Sequence, residues 1–233
     1  MKLETTSVKR DIWVKASLEQ VWKTHIDPKL RKQWDAWNAE IDFRIGGKVF
    51  IQHGWGAVTS SVITEIVEYE KLVFSSENGD FQNITTFVPE NDGVRVTVEY
   101  RMSWGDVDES MKENMAFGTF RFLQNLKSVL EEGKDLRPGF WPTTLGIKHT
   151  TYLGNQGTMV LKVHSDSPAK SSGLLAQDVI VDANEQPIRN YEDLEMFLQN
   201  SLAGDAVTLG VFRGDQKIHL KYELAAYPRP YKE

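Results

Sequence analysis

Hydrophobic and polar residues alternate along several stretches of the first half of the chain. Between residues 94 and 102 nearly every second residue is hydrophobic, and the residues between them are charged or polar. The short run 41–45 shows the same alternation. Because successive side chains of a β-strand point to opposite faces of a sheet, both runs predict strands with one buried face. Shorter strand candidates, separated by turn signals, lie at 8–14, 49–53, 58–67, 72–75 and 81–89.

A helical spacing replaces this alternation between residues 108 and 132. Hydrophobic residues recur there with a period close to 3.6, acidic residues stand at the start, and Gly133 follows as a stop signal. Shorter helices are predicted after Ser17, a residue type that caps helices, and after Pro28. The hydrophobic positions of the long helix are Met111, Met115, Phe122, Leu126, Val129 and Leu130.

Prolines and glycines interrupt the pattern between residues 133 and 142, and this punctuation predicts a domain boundary. The expected domains are 1–135 and 140–226, followed by a tail at 227–233. In the second domain one helical pattern, at about 190–201, accompanies several strand patterns. These strand patterns lie at 144–147, 159–163, 178–181, 207–213 and 217–224.

Composition excludes several classes of protein. The 233 residues are 40% hydrophobic and 26% charged, which is ordinary for a soluble globular chain. No hydrophobic run reaches the roughly 18 residues of a membrane span, and the first residues lack the hydrophobic core of a signal peptide, so we expect a cytoplasmic location. The net charge of −6 argues against nucleic-acid binding. The absence of cysteine excludes disulfides, thiolate metal sites and a cysteine nucleophile.

The order of elements in the first domain is a strand, two short helices, a meander of strands and one long helix. A curved antiparallel sheet with a hydrophobic face needs a cover, which the long helix supplies. Together with the β-rich second domain, this order predicts an α+β chain. The segments 16–22, 27–30, 42–47 and 123–127, together with Trp34, follow one another in a distinctive order and spacing.

On these segments, the first domain resembles the START-like (SRPBCC) helix-grip superfamily. Within it, the chain resembles the family named after the C-terminal domain of the Hsp90 ATPase activator, over roughly residues 5–135. The resemblance implies a curved antiparallel sheet that grips a long C-terminal helix and commonly encloses a cavity. One departure is that Phe120 or Phe122 stands where such sequences often have tryptophan.

The second domain carries the segments 144–147, 165–169 and 172–174 before its single predicted long helix. On this order it resembles a PDZ domain of the bacterial, protease-associated kind, over about 140–225. The resemblance implies a small β-barrel or sandwich with two helices. Gln177 and Glu185 stand where glycine is usual, which concerns the geometry of two turns distant from the expected groove.

The PDZ resemblance implies that the domain binds the C-terminal peptide of a partner protein. Such domains add the peptide as a strand to a sheet edge and hold its carboxylate on converging backbone N–H groups. Gly146 allows the close backbone approach that this loop requires. The alternative is that Leu145 and Ile147 are ordinary core residues and the groove is degenerate. The expected peptide-binding residues are Thr144, Leu145, Gly146, Ile147, Tyr191, Glu195 and Leu198.

The first domain has many large hydrophobic side chains that could line a cavity for a small apolar ligand. The same side chains could instead fill an ordinary core, and both readings stay open. The candidate cavity residues are Trp34, Trp37, Phe43, His53, Trp55, Phe74, Phe87, Tyr100, Trp104, Met115 and Phe122.

Catalytic motifs are scarce. No pair of histidines has the spacing of a helical zinc site, and neither a Gly-x-Ser-x-Gly elbow nor a Walker loop occurs. His53, next to the expected cavity, is the best single candidate for acid–base chemistry. We therefore expect no cofactor, no metal and no catalytic residues.

The sequence predicts a non-enzymatic cytoplasmic adaptor that binds a small apolar ligand in one domain and a C-terminal peptide in the other. One alternative is an enzyme with acid–base chemistry in the cavity, recruited to its substrate by the PDZ domain. Another is a chaperone-associated or self-assembling interaction module. The Hsp90 activator itself has a separate N-terminal domain that engages the chaperone, and no segment of this sequence matches it. Shared fold does not transfer function.

Overall fold

A computed structural model describes residues 6–103, 107–228 and 231. Within these residues the chain forms two compact units. The first runs to Asp108 and adds Asn114–Pro138 and Tyr231, and the second comprises Glu109–Glu113 and Gly139–Pro228. The domain limits expected from the sequence, 1–135 and 140–226 with a tail at 227–233, stay a prediction.

The first unit is a seven-stranded antiparallel sheet with the strand order β1-β7-β6-β5-β4-β3-β2. Two short helices, α1 (Leu18–Ile26) and α2 (Pro28–Arg31), follow the first strand, and the long helix α3 (Glu109–Glu132) follows the last. This arrangement confirms the α+β class. The strands are β1 (Thr6–Val14), β2 (Asn38–Ile41), β3 (Lys48–Gln52), β4 (Val58–Val67), β5 (Lys71–Ser75), β6 (Phe81–Glu90) and β7 (Gly93–Met102).

Local sequence signals set the helix ends of this unit. Ser17 caps α1, where its side chain accepts from the Gln20 backbone N–H and the Gln20 side chain reaches back to the Ser17 N–H. Asp27 caps α2 just before Pro28. Gly133 ends α3 with a left-handed φ of 68°, as glycine commonly does one residue past a helix. A 3₁₀ turn follows at Arg137–Gly139.

The expected strand at 41–45 is wrong beyond Ile41. Residues 42–47 form a tight turn in which the N–H groups of Arg44 and Gly47 donate to Asp42 and Arg44 carbonyls. The side chains of Phe43 and Ile45 are therefore exposed by 39% and 58% rather than buried in a sheet face. Gly46 supplies the left-handed φ of 78° that this turn needs, and this local turn outweighs a short alternation signal.

The core of the first unit lies against the sheet and includes side chains from α1 and α3. The long helix buries Phe117, Leu123 and Leu126, whereas Met111 is 45% exposed although its spacing predicted a buried position. The fully buried members of this core with exposures of 2% or less include Val21, Ile63, Leu72, Phe87, Val94, Val96, Leu123 and Leu126.

The second unit contains a sheet with the strand order β14-β13-β11-β10-β9, with β12 added to β11, and a small two-stranded pair of β8 and β15. Its helices are α4 (Pro168–Ser171) and α5 (Tyr191–Gln199), and a 3₁₀ turn lies at Leu153–Asn155. The strands are β8 (Thr143–Thr144), β9 (Ile147–Thr151), β10 (Thr158–Val163), β11 (Val179–Ala183), β12 (Gln186–Pro187), β13 (Ala206–Arg213), β14 (Gln216–Glu223) and β15 (Ala225–Ala226).

Both positions at which the sequence departs from the usual PDZ glycine have a left-handed backbone. Gln177 has a φ of 73° and Glu185 a φ of 65°. A residue with a Cβ atom pays roughly 1–2 kcal/mol for this conformation, which glycine adopts freely. The two turns therefore keep the backbone conformation that glycine would adopt, and Gln177 and Glu185 are strained in it.

Replacing Glu185 with glycine is expected to stabilise the second unit by up to about 1 kcal/mol, because the relief of strain exceeds the entropy that glycine adds to the unfolded chain. Urea denaturation followed by circular dichroism measures this change. Glu185→Ala is the matched control, since alanine keeps the strain and removes only the carboxylate. An equal gain from alanine would assign the effect to charge and contradict the prediction.

Candidate functional site

The loop before β9 is held close to the segment that follows β10. The carbonyl of Gly146 accepts from the His164 N–H at 3.0 Å, and the carbonyl of Leu145 accepts from the Ala169 N–H at 3.2 Å. Gly146 has a left-handed φ of 73°, and a Cβ atom built on it would lie 2.3 Å from the Cβ of Ser167. Only glycine fits this position without a shift of the backbone.

The backbone of β9 presents an edge that no strand covers among the described residues. The His164 N–H donates to Gly146 at one end of the β9–β10 pair, and the Tyr152 N–H donates to Gly157 at the other. Hydrogen bonding alternates along an antiparallel pair. The N–H and C=O groups of Ile147 and His149 therefore point away from β10, toward the open edge.

The open part of this edge is short. The next outward N–H, that of Thr151, donates to the carboxylate of Glu113 at 3.1 and 3.2 Å, within the second unit. The Thr150 hydroxyl donates to the same carboxylate at 2.7 Å. An added strand can therefore pair with β9 over Ile147 and His149 before it meets Glu113.

The residues expected to form the terminal pocket lie together. Leu145 and Leu198 are buried in one hydrophobic cluster, against which Ile147 packs. Thr144 accepts from the Gly146 N–H through its hydroxyl at 2.9 Å, which fixes the loop. The Thr143 hydroxyl donates to the Leu198 carbonyl at 2.8 Å, which places the end of α5 beside the loop.

The upstream end of the groove contains a histidine that sequence reasoning missed. His149 is 3% exposed, and its ring stacks on Tyr191 at 4.3 Å between ring centres. Its Nε2 lies 3.0 Å from Oε1 of Glu195, and its Nδ1 lies 2.7 Å from the Thr158 hydroxyl. The signal was available, because His149 follows Ile147 by two residues and so shares its strand face.

The expected cavity residues of the first unit do not all lie in its interior. Trp34, Phe74 and Phe87 belong to the buried core, and Tyr100 and Phe122 pack against it. Trp55 and His53 lie beside Phe122, each with its ring centre 5.9 Å away, and Met115 is half-buried on α3. Trp37 and Phe43 are exposed at the surface, and Trp104 lies outside the described residues.

Trp37 is 47% exposed because it directly precedes β2, an edge strand of the sheet, and does not face the interior. Its backbone N–H donates to Gln52 at 2.7 Å, which fixes it at this edge. It lines an open surface pocket of about 500 Å³ together with Lys32, Asn38, Gln52, Asp135, Arg137 and Tyr231.

Polar groups other than those expected from the sequence lie inside the first unit. Arg31 and Asp35 form an ion pair with side-chain exposures of 11% and 8%, in which the Arg31 Nε donates to Asp35 at 2.8 Å. Tyr100 is hydrogen-bonded to Thr119, and burial raises the pKa of its hydroxyl. The interior of the first unit therefore contains a small number of polar groups among mostly hydrophobic side chains.

His25 is the most deeply buried titratable group described in this interior. Its Nδ1 lies 2.8 Å from the Val21 carbonyl, so this nitrogen carries the proton. Its Nε2 is buried and has no hydrogen-bond partner among the described residues. Burial, followed by the charge of Arg31, lowers the pKa of His25 from 6.5 to about 3. His25 is neutral in the folded chain.

The first unit is expected to lose stability as the pH falls from about 6.5 toward about 3, because over this range His25 takes up a proton only when the chain unfolds. The loss attributable to this group is about 1.4 kcal/mol per pH unit. Thermal unfolding of the wild type and His25→Gln across this range measures it. The variant's stability should depend less steeply on pH, whereas His219→Gln, on an exposed strand, should match the wild type. Equal slopes for all three proteins would contradict the assignment.

Among residues 6–103, 107–228 and 231, no group of three or more histidine, aspartate or glutamate side chains is arranged to hold a metal ion. None of the helices in this part of the chain is both long and apolar enough to cross a membrane.

Comparison with known proteins identifies both units. Residues 15–131 match the profile of the Activator of Hsp90 ATPase homolog 1-like protein family, and residues 128–224 match that of the PDZ domain. The crystal structure of the protein SSP2350 from Staphylococcus saprophyticus aligns with a TM-score of 0.51 at 17% identity, covering 57% of this chain and 96% of that chain. These findings confirm both resemblances and the fold class; the structural likeness concerns the fold alone.

Curated relatives match a shorter part of the chain. The periplasmic serine endoprotease DegP of Salmonella typhimurium is 36% identical over 66 residues, which are 28% of this chain and 14% of that protein. A probable periplasmic serine endoprotease DegP-like protein of Bartonella henselae is 34% identical over 61 residues, which are 26% of this chain and 12% of that protein. The chain thus spans about one seventh of the length of these relatives.

Proposed function

Since the chain belongs to the Activator of Hsp90 ATPase homolog 1-like protein family and continues into a PDZ domain, we propose that it is a non-enzymatic adaptor with two binding sites. The two domains indicate a binding module, and the PDZ domain resembles that of DegP-like proteases. In this proposal the groove beside β9 binds the C-terminal peptide of a partner protein. The interior of the first unit binds a small apolar ligand.

The observation that carries the proposal is the pairing of an open strand edge with a loop that only glycine can form. Ile147 and His149 offer outward backbone groups for strand addition. Directly before them lies the loop at Gly146, where the PDZ resemblance implies that backbone N–H groups hold the peptide carboxylate, as a backbone nest holds an anion. Leu145 and Leu198 supply a hydrophobic site for the last side chain of the peptide.

Peptides that differ only at their C-terminus test the groove. Fluorescently labelled decapeptides with an apolar last residue are titrated with the full chain, each as a free carboxylate and as an amide. We expect saturable binding of the free carboxylates and at least a tenfold loss on amidation, because the amide removes the charge that the loop holds. Equal binding of both forms, or binding of neither, contradicts the proposal.

A retained ligand tests the first unit. The aromatic group around Phe122, with Trp55 and Tyr100, provides the apolar surface, and the Arg31–Asp35 pair provides polar orientation. Native mass spectrometry of freshly purified protein is expected to show a mass increment that organic extraction removes. A bare mass together with no binding of hydrophobic fluorescent probes would contradict this part of the proposal.

The alternative of an enzyme has one observation behind it. The buried carboxylate of Asp35 acts electrostatically on both His25 and Tyr100, and converging ionisable groups are typical of active sites. We favour binding because both oxygens of Asp35 are engaged by Arg31 and the proton of His25 is engaged by Val21. Incubation with acyl ester, epoxide and ketone substrates tests for enzymatic activity. If an activity is found, its loss in the His25→Gln and Asp35→Asn variants supports the enzyme, and no turnover of any substrate supports binding.

Self-assembly and a cytoplasmic location, both expected from the sequence, are open to direct tests. A self-assembling module is distinguished by light scattering after size-exclusion chromatography of the full chain, where a monomer at all concentrations contradicts it. A cytoplasmic location is part of the proposal, and cell fractionation with an antibody to the native chain tests it.

A further inference from the structure

We infer that Glu195, held by His149, makes the groove selective for peptides with a cationic side chain two residues before the last. This inference rests on the proposed peptide binding and names the class of peptide. It follows from where hydrogen bonds are already made in the groove and where an acceptor remains.

The hydrogen bonds of His149 hold its ring and the Glu195 side chain in place. The Thr158 hydroxyl oxygen lies 2.7 Å from Nδ1 of His149 and 2.9 Å from the Thr150 carbonyl oxygen. On the other side, Nε2 faces a carboxylate oxygen of Glu195 at 3.0 Å, and a carboxylate only accepts. Nε2 of His149 therefore donates to Glu195, and this hydrogen bond fixes the Glu195 side chain.

Glu195 keeps one acceptor for a ligand. Its Oε1 is bound to His149, whereas Oε2 makes no hydrogen bond to any described residue, and 18% of the side chain is exposed. The His149 side chain is only 4% exposed, behind this contact. The part of the pair that a ligand meets is therefore a carboxylate oxygen in a mostly desolvated setting, where a charge-assisted hydrogen bond is strong.

The direction of α5 places this oxygen opposite a defined peptide position. The end of the helix lies at the loop, since Leu198 accepts from Thr143, and its start lies at the far end of β9, since the Tyr191 N–H donates to Thr151. Two residues of a strand advance about 6.7 Å, and the three residues from Leu198 to Glu195 about 4.5 Å. The last side chain meets Leu198, and the side chain two residues earlier passes Glu195.

Charge favours a cation over a hydroxyl at this position. The Glu113 carboxylate, bound at Thr151, lies next along the same edge and adds a second negative charge. Lysine and arginine also have the length to reach Oε2 from a strand whose backbone is paired with β9. A neutral hydroxyl gains one hydrogen bond there but no attraction to the second carboxylate.

Four peptides test the selectivity. They share a free C-terminal leucine and differ only at the third residue from the end, which is lysine, threonine, leucine or aspartate. Fluorescence anisotropy with the full chain gives their Kd values. We expect the lysine peptide to bind about fivefold to tenfold tighter than the leucine peptide, and the aspartate peptide to bind most weakly, as a partly exposed charge pair allows. Raising salt from about 50 mM to about 500 mM should reduce the preference.

Glu195→Gln keeps an oxygen for His149 and removes the charge, so the lysine preference should fall to about onefold. Glu223→Gln, on β14 at the opposite edge of the sheet, makes the same charge change and should leave the preference unchanged. If circular dichroism shows that Glu195→Gln does not fold, the salt dependence of the wild-type lysine preference tests the inference instead, and a preference that salt leaves unchanged contradicts it.

The inference is overturned if the threonine or leucine peptide binds as tightly as the lysine peptide, or if Glu195→Gln keeps the preference. In those cases peptide binding itself stands. If none of the four free-carboxylate peptides binds, or if amidation changes nothing, the proposed function fails and the inference with it.

Discussion

Gly146→Ala is expected to destabilise the second unit by about 3 kcal/mol and to abolish binding of C-terminal peptides. Two costs add. A left-handed φ of 73° is strained for any residue with a Cβ atom, and the new atom would overlap the Ser167 Cβ, 2.3 Å away. Relief of the overlap requires the loop to move away from the segment at Ser167, which displaces the backbone groups that hold the peptide carboxylate in the proposed function.

Urea denaturation and the peptide titration measure the two effects. Gly214→Ala is the matched control, because Gly214 also has a left-handed φ, of 59°, but a Cβ atom there meets nothing within 4 Å. This control should lose only about 1 kcal/mol and keep its peptide affinity. If both variants are equally stable, or if Gly146→Ala still binds free carboxylates, the close approach at Ser167 is not what holds the loop.

Arg137→Ala is expected to destabilise the first unit by about 3–5 kcal/mol, since it removes one partner of a buried, multiply hydrogen-bonded charge. Arg137 is 4% exposed and donates to the Asp135 carboxylate and to the carbonyls of Ala36 and Lys32 at 2.8–2.9 Å. It thereby ties the segment after α3 to the segment between α2 and β2. The variant leaves two carbonyls and a carboxylate without this donor.

Tryptophan fluorescence in urea reports this unit, because six of the seven tryptophans lie in the first 104 residues. Arg44→Ala is the control: Arg44 pairs with Asp42 at the surface, with side-chain exposures of 69% and 50%, and such pairs contribute about 0–1 kcal/mol. A loss below about 1 kcal/mol for Arg137→Ala would mean that the carbonyls find other donors and that this connection does not stabilise the unit.

Long periodic signals predicted the fold well, and short ones did so less well. The 3.6-residue period located α3 to within one residue, because 24 residues of repeated spacing and a glycine stop leave little ambiguity. The five-residue alternation at 41–45 failed because a hydrogen-bonded turn uses the same residues. Gln177 and Glu185 illustrate a third case, in which the surrounding fold imposes a backbone that the local residue disfavours.

Site residues could be predicted from sequence where they belong to one recognisable motif. The loop at 144–147 and the faces of α5 follow from the PDZ resemblance, and the structure brings Leu145, Ile147 and Leu198 together. His149 and Glu195 could not be paired from sequence, because their contact joins residues 46 positions apart. The exposure of Trp37 could not be predicted from sequence either, because it depends on which strand forms the edge of the sheet.

The open edge of β9 at Ile147 and His149 is short, and this limits how much of a partner's sequence the groove can distinguish. Strand addition over two residues reads only the last few positions of a chain, and signals of that length recur at the ends of many unrelated proteins. Affinity alone then distinguishes few candidates from one another. Under the proposed function, partner choice therefore depends on abundance and on effective concentration, which favour the C-termini that are present in excess or tethered nearby.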